Sequence, residues 1–479
     1  MNLSLKSQSR YIPVLLLTAT LFACHPKGEE QEEAAQVKVV MDSTWYVMNP
    51  MDLDFDSLEL AMIDSGMADL IGDYRSIRAY DLPNSTPPAL QFNPLPEGFV
   101  VPPPTPKIKW EIPEGITLPA REEDLAFMSI PELASLIHSG EISCLALTEF
   151  FLRRLKEHDP RLHCVVTLTE EYAIEQARKL DAELARGEDR GILHGIPYGA
   201  KDLFSFPAYP TTWGAGAYKD QVLDQTAGVI RKLEEAGAVL VAKTTLGALA
   251  MGDVWFADTT RNPWNLEEGS SGSSAGSASA TAAGLLPFAL GTETWGSIVS
   301  PSTRCGTTGL RPTYGRVTRS GAMALSWSMD KVGTICRSAR DCAIVFDAIR
   351  GPDPGDATVV DAGFSYPGKV DLSGLRIGYF KSAFESDYRV SEYDRQTLKV
   401  LRKLGADLEP VELLNEDIPV SALSLILTAE AAAAFDELTR SNRDTLLVRQ
   451  HRYAWPNTFR TARYITAVEY IQANRIRHD

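Results

Sequence analysis

The chain has 479 residues, 44% of them hydrophobic, and a formal net charge of −16. That length allows two or three domains, or one large α/β body with additions, and the apolar content is ordinary for a globular core. The acidic balance argues against nucleic-acid binding, which relies on basic patches, and no apolar run reaches the length of a mature transmembrane helix.

At the N-terminus, Lys6 and Arg10 precede an apolar run, Tyr11 to Ala23, that is too short to span a bilayer comfortably. This is a secretory signal pattern, and residues 1–23 are expected to be a signal peptide. The run ends Leu21-Phe22-Ala23-Cys24, which resembles a bacterial lipobox with Cys24 as the lipidated residue. The expectation is an exported lipoprotein of the bacterial cell envelope, held to the membrane by a lipid anchor; the alternative is an ordinary signal peptide with an incidental cysteine. Glu29, Glu30, Glu32 and Glu33 then make a solvated tether. The remaining cysteines, Cys144, Cys164, Cys305, Cys336 and Cys342, are odd in number and lack metal-ligand spacing. They are read mainly as small buried residues.

Residues 24–121 divide into this tether, an extension with a short helix over Leu58–Leu70, and a proline-rich stretch from Pro87 to Pro119. The stretch reads as an extended linker or as an arm that clings to the body. The globular body is expected over 122–479. Helical periodicity follows Ser129 and Ser143, each a plausible N-cap. Cys164–Leu168 reads as a strand and Thr169–Arg186 as an alanine-rich helix. After a Gly-Ile-Pro turn come Pro197–Lys201, a helix over Ala227–Ala236 and a buried strand at Ala238–Ala242. An Ala/Ser helix at Ser273–Gly284 precedes a strand at Pro287–Leu290. Arg340–Ile349 is helical, Leu375–Tyr379 a strand, and Asp394–Leu404 a helix. The alternation predicts an α/β fold, with a mixed central β-sheet covered by helices on both faces.

Chemistry concentrates in a small-residue run, Gly269–Ser279, and a second turn, Gly291–Ser297. Glycine lets a backbone approach a ligand closely, and serine supplies a nucleophile or proton carrier. None of the seven histidines lies in a Gly-x-Ser-x-Gly elbow or a recognisable triad context. His194, before the Gly-Ile-Pro turn, reads as structural. Lysine can act as a base when burial holds it neutral, and Lys201 follows a run without other charge. Its neighbour Asp202 leaves a surface ion pair as the competing reading.

Three separated segments carry a resemblance. They are Gly272-Ser273-Ser274-Ala275-Gly276-Ser277; then Gly291-Thr292-Glu293-Thr294-Trp295-Gly296-Ser297-Ile298, continued by Cys305-Gly306 and Gly309-Leu310-Arg311-Pro312-Thr313; and, upstream, His194–Asp202. Together they resemble the amidase signature family from about Glu122 to the chain end. The resemblance implies a hydrolase of carbon–nitrogen amide bonds that works through an acyl-enzyme. It makes Ser297 the nucleophile, Ser273 a bridging serine after a cis Gly272–Ser273 bond, and Lys201 the general base, with Ser274 orienting Lys201. The N–H groups of Thr294, Trp295, Gly296 and Ser297 become the oxyanion hole. A small-molecule amide substrate is implied, with no cofactor, no metal and no nucleic acid; a homodimer is a candidate assembly. Within the family the alternative is a glutaminase-type component of an amidotransferase, and outside catalysis it is a surface lipoprotein with a degenerate amidase fold.

The sequence departs from the family pattern at several points. Ser271 and Ala275 stand where the family has glycine, and both are small enough to be tolerated. Trp295 replaces the first glycine of the turn before Ser297. It is expected to be strained if the backbone there needs a positive φ, or else to line or narrow the acyl pocket. Val299 replaces a common arginine, which weakens a reading with an acidic substrate side chain. The family continues well past a segment like 465–475, so the chain is expected to lack the C-terminal part of the amidase domain.

Overall fold

The computed structural model describes residues 83–86, 92–412 and 419–478, which fall within one unit, Leu82–Asp479. The expected signal peptide, Cys24, the expected acidic tether and the helix expected over Leu58–Leu70 lie outside the described residues. Two capped helices follow a short helical turn at Glu122–Leu125. In α1 (Ile130–His138) the Glu132 carboxylate accepts from the Ser129 N–H at 2.7 Å and from its hydroxyl at 2.6 Å. In α2 (Cys144–Leu162) the Ser143 hydroxyl accepts from the Ala146 N–H at 3.0 Å. Each cap satisfies N–H groups that a helix start leaves unpaired.

The chain then builds β1 (Val165–Leu168), α3 (Glu170–Ala185), β2 (Pro197–Lys201), α4 (Gly228–Glu235) and β3 (Val239–Thr244). It continues through α5 (Ala275–Ala282), β4 (Phe288–Glu293), α6 (Val299–Cys305), β5 (Thr308–Leu310), β6 (Lys331–Cys336) and α7 (Ala339–Ile349). Six strands form one sheet in the order β1-β3-β2-β4-β6-β5. The pairs β3–β2 and β2–β4 are parallel, and β1–β3, β4–β6 and β6–β5 are antiparallel, so the sheet is mixed. Every residue of β2, β3 and β4 is buried. Successive side chains on a strand point to opposite faces, so both faces of the sheet centre are covered, as the alternation of elements predicts. Tyr198 and Phe288, register partners on β2 and β4, stack at 5.3 Å.

Helix α5 accounts for the small residues of the Gly-Ser run. Ala275 through Thr281 are all buried. A Cβ on Gly276 would sit 2.1 Å from the Cys164 carbonyl oxygen, so only glycine permits this approach to the chain leading into β1. The Ser277 hydroxyl donates to the Leu290 carbonyl at 2.9 Å and lies 2.8 Å from Thr244 Oγ1, which ties the helix to β3 and β4.

The strand expected over Leu375–Tyr379 does not join this sheet. β7 (Arg376–Phe380) and β8 (Asp407–Val411), linked through α8 (Ser391–Lys403), pair with each other in a separate two-stranded parallel sheet. In β7 exposed and half-buried residues alternate, and in β8 only Leu408 is half-buried, so neither strand has two apolar faces to bury. Beyond them lie α9 (Ser424–Ala434), α10 (Trp455–Thr461) and α11 (Ala467–His478).

The proline-rich stretch runs along the end of α7. Lys107 Nζ donates to the carbonyls of Asp347 and Arg350, and the Asp347 carboxylate accepts from the Ile108 N–H at 2.8 Å. The Arg350 guanidinium returns hydrogen bonds to the Thr105 and Pro106 carbonyls. Cys144, Cys164, Cys305, Cys336 and Cys342 are buried free thiols. Among the described residues no helix is long and apolar enough to cross a membrane.

Candidate active site

Lys201 ends β2 in the middle of the sheet and is fully buried. Its Nζ lies 2.8 Å from Ser273 Oγ, 2.9 Å from Thr292 Oγ1 and 3.2 Å from Ser274 Oγ, with the Thr292 carbonyl at 3.3 Å. Burial pushes the Lys201 amine down to about 7, against a smaller upward pull from the charges of Asp330 and Glu293. Desolvation disfavours the ammonium form, so a large share of Lys201 is neutral near pH 7 and able to accept a proton.

Asp202 does not pair with Lys201. Its carboxylate lies 2.7 Å from Lys243 Nζ on β3, with both side chains fully buried, and accepts from the Thr212 N–H at 2.9 Å. The surface-pair reading of Lys201 and Asp202 therefore fails: Lys201 turns to the serines while its neighbour is neutralised elsewhere. Lys243 is a buried neighbour of the site that sequence reasoning missed. The available signal was a lysine inside an otherwise uncharged buried strand, which demands a partner. His194 is buried, with Nδ1 accepting from the Arg190 N–H at 3.1 Å and Nε2 facing the Leu180 carbonyl at 3.1 Å, in keeping with a structural role.

The Gly272–Ser273 peptide bond is cis. A Cβ on Gly272 would come within 1.9 Å of the Gly252 carbonyl oxygen, so the backbone reaches this position only as glycine. Ser274 occupies the corner behind it. Its hydroxyl accepts from the Thr292 N–H at 3.2 Å, donates to the Thr292 carbonyl at 3.1 Å and meets Lys201. Its N–H donates to the Ser297 carbonyl at 3.0 Å, which joins the two small-residue segments directly.

The turn from Glu293 to Val299 is fixed from several sides. The Glu293 carboxylate accepts from the N–H groups of Ile298 and Val299 at 2.9 and 3.0 Å and from Arg311 at 3.1 Å. Burial works to raise Glu293, but those N–H bonds and Arg311 outweigh it and hold the carboxyl below its usual range. The Thr294 hydroxyl donates to Asp330 at 2.5 Å, and Lys331 Nζ donates to the Thr294 carbonyl at 3.1 Å. Asp330 is itself buried and its carboxyl is raised by desolvation, with bonds from Thr294 and from the N–H groups of Ser326 and Leu325 opposing. Among the described residues none accepts from the N–H of Trp295, Gly296 or Ser297. A turn pinned through Glu293, Thr294 and Lys331 while consecutive N–H groups stay free has the form of an anion-binding nest.

Lys201, Ser273 and Ser274 are thus brought into direct contact, and the Ser297 backbone is bonded to Ser274. Ser297 Oγ makes no hydrogen bond among the described residues, to Ser273 or to any other, and the residue is half-buried. Trp295 is 47% exposed and its φ is not positive; the left-handed conformation falls on Gly296, at φ 88°. The strain anticipated at Trp295 is absent because the adjacent glycine makes the turn. It is found instead at Ser271, at φ 61°, a position read from size alone as harmless. That conformation disfavours a residue with a Cβ by about 1–2 kcal/mol, and Ser271 is held there by its N–H bond to Asp253 and its hydroxyl contact with Ser300.

A cavity of about 310 Å³ lies beside the turn, lined in part by Thr292, Thr294, Met323, Leu325 and Trp327. Trp295 does not line it, so its indole does not narrow this space. Among the described residues no group of three or more His, Cys, Asp or Glu side chains is placed to hold a metal ion.

The Amidase family model matches residues 146–472. A glutamyl-tRNA(Gln) amidotransferase component from Thermoanaerobacter pseudethanolicus is 36% identical over 318 residues, which cover 65% of this chain and 65% of that protein. The chain therefore spans slightly under two thirds of the length of this curated relative. Among solved structures, native peptide amidase from Stenotrophomonas maltophilia is similar at 30% identity and a TM-score of 0.66, over 74% of this chain and 79% of that one. The corresponding glutamyl-tRNA(Gln) amidotransferase component from Thermotoga maritima is similar at 27% identity and a TM-score of 0.61, over 75% and 76% of the two chains.

Proposed function

We propose that this chain, which belongs to the Amidase family, hydrolyses carbon–nitrogen amide bonds of small molecules through a relay of Lys201, Ser273 and Ser297. The observation that carries this reading is the buried Lys201 amine, lowered to about 7, at 2.8 Å from Ser273 Oγ. Neutral Lys201 takes the proton of Ser273, and Ser273 takes that of Ser297 as its free hydroxyl turns inward. Ser297 Oγ attacks the amide carbonyl carbon. The oxyanion meets the N–H groups of Thr294, Trp295, Gly296 and Ser297, and one such donor contributes about 3–4 kcal/mol to the transition state. The relay returns the proton to the leaving amine as the C–N bond breaks. Water then gives a proton to the same relay, attacks the acyl ester and releases the carboxylic acid, restoring Ser297.

Purified protein incubated with aryl amides and amino-acid amides should release amine, and a fluorophosphonate should label Ser297 in intact-mass and peptide analysis. Failure of both turnover and labelling would sink the reading. A second reading is a glutaminase-type component of an amidotransferase, favoured by the names of the curated relatives. Ammonia release from free glutamine in preference to aryl amides distinguishes it. The net charge of −16 and Val299, where the family commonly has arginine, weigh toward the first reading. A degenerate, binding-only fold predicts neither release nor labelling.

For localisation, we propose that Cys24 carries a lipid that holds the exported chain to the bacterial cell envelope. The support is the basic and apolar N-terminal pattern ending Leu21-Phe22-Ala23-Cys24. Palmitate incorporated by expressing cells should be lost in Cys24→Ala; labelling that persists excludes Cys24 as the anchor.

A further inference from the structure

The geometry points to Asn84 and Ser85, which precede the family-matched residues, as part of the rim of the substrate cavity and a determinant of acyl-group size. Asn84 Oδ1 accepts from the Ala324 N–H at 2.8 Å, and its Nδ2 donates to the Ala324 carbonyl at 3.0 Å and to the Ala434 carbonyl at 3.4 Å. One side chain thus binds both backbone groups of Ala324, as a neighbouring strand would. It also reaches the last residue of α9. Only a carboxamide offers the acceptor and the two donors this needs. The anchor places the next residue, Ser85, at the cavity that Thr292 and Thr294 also line. Thr292 contacts Lys201, and Thr294 belongs to the turn before Ser297, so the cavity adjoins the reacting groups. The family match covers 146–472, so a segment outside it supplies this part of the wall.

The inference rests on the amidase reading above. A larger side chain at Ser85 narrows the mouth of the cavity, and removal of the Asn84 carboxamide releases the segment and widens it. The test compares the full chain with Ser85→Leu and Asn84→Ala on acetamide, butyramide and hexanamide. The rate of Ser297 labelling by methyl and hexyl fluorophosphonates gives a second readout. Ser85→Leu should lower the long-to-short ratio of kcat/KM about tenfold or more, mainly through the long substrate, because one methylene in a fitted pocket changes discrimination by about 10-fold or more. Asn84→Ala should raise the same ratio. A generic loss of stability would depress all substrates together and leave the ratio unchanged. An unchanged ratio in both variants, in turnover or in labelling, overturns the inference while the amidase reading stands. Absence of turnover and labelling in the unmodified chain overturns the amidase reading, and the inference with it.

Discussion

Ser297→Ala is expected to lower amide turnover by roughly 10⁴-fold or more, with the fold intact. In the proposed relay Ser297 is the nucleophile, so its removal eliminates the acyl-enzyme path and leaves only what the free N–H groups of the turn and substrate positioning supply. The substitution is structurally mild for a specific reason. Ser297 holds the turn through its carbonyl, which accepts from the Ser274 N–H at 3.0 Å, whereas its hydroxyl makes no hydrogen bond among the described residues. Thermal unfolding should therefore stay within the range of an ordinary surface change, about 0.5 kcal/mol. Ser273→Ala makes a useful contrast. It removes the proposed bridge between Lys201 and Ser297 while leaving Lys201 its contacts with Ser274 and Thr292. Turnover should again collapse, but Ser297 should remain present for slow labelling by a fluorophosphonate. Equal turnover in Ser297→Ala and the unmodified chain would remove Ser297 from the mechanism.

Much of the sheet is legible in the sequence because its central strands are short apolar runs between helices with amphipathic periodicity and serine caps. β3 and the start of β4 stand out for that reason. Other elements are hidden by their composition. β6, Lys-Val-Gly-Thr-Ile-Cys, mixes charge and glycine with its apolar residues and is defined by pairing with β4 through Glu293↔Lys331 to Phe288↔Cys336. α6 carries Pro301 and no apolar stripe, and its start is set by the Glu293 carboxylate on the N–H groups of Ile298 and Val299. The serines and Lys201 can be picked out by motif, but their supports cannot. Thr292, Asp330 and Lys243 act through contacts that span 91, 36 and 32 positions of sequence, to Lys201, Thr294 and Thr211. Ser271 and Trp295 illustrate a separate limit. Side-chain size predicts neither dihedral, because the demand for positive φ is set by how the two turns close on each other.

Lys201→Met should abolish measurable turnover, by about 10²–10⁴-fold for loss of a general base, and the pH dependence of the unmodified chain should show why. With the amine lowered to about 7, kcat/KM should rise with pH up to about 7 and level above it, falling close to tenfold per unit on the acid side as Lys201 takes up a proton. The same displacement has a consequence for stability that does not depend on activity. In the unfolded chain Lys201 titrates near the ordinary lysine value of 10.5, and in the folded chain near 7. Between these values the unfolded state binds more protons than the folded state, so stability rises with pH across that window and is flat with respect to this group below it. The unmodified protein should therefore gain stability relative to Lys201→Met as pH goes from 7 to 10, measured as the difference in denaturant midpoint between the two proteins. Taking the difference cancels the other titrating groups. Lost hydrogen bonds at Ser273, Ser274 and Thr292 shift the variant by an amount that does not vary with pH, so the slope carries the information. A difference that stays constant from pH 7 to 10 would mean that Lys201 keeps an ordinary pKa in the fold, and a lysine charged at neutral pH cannot start the relay.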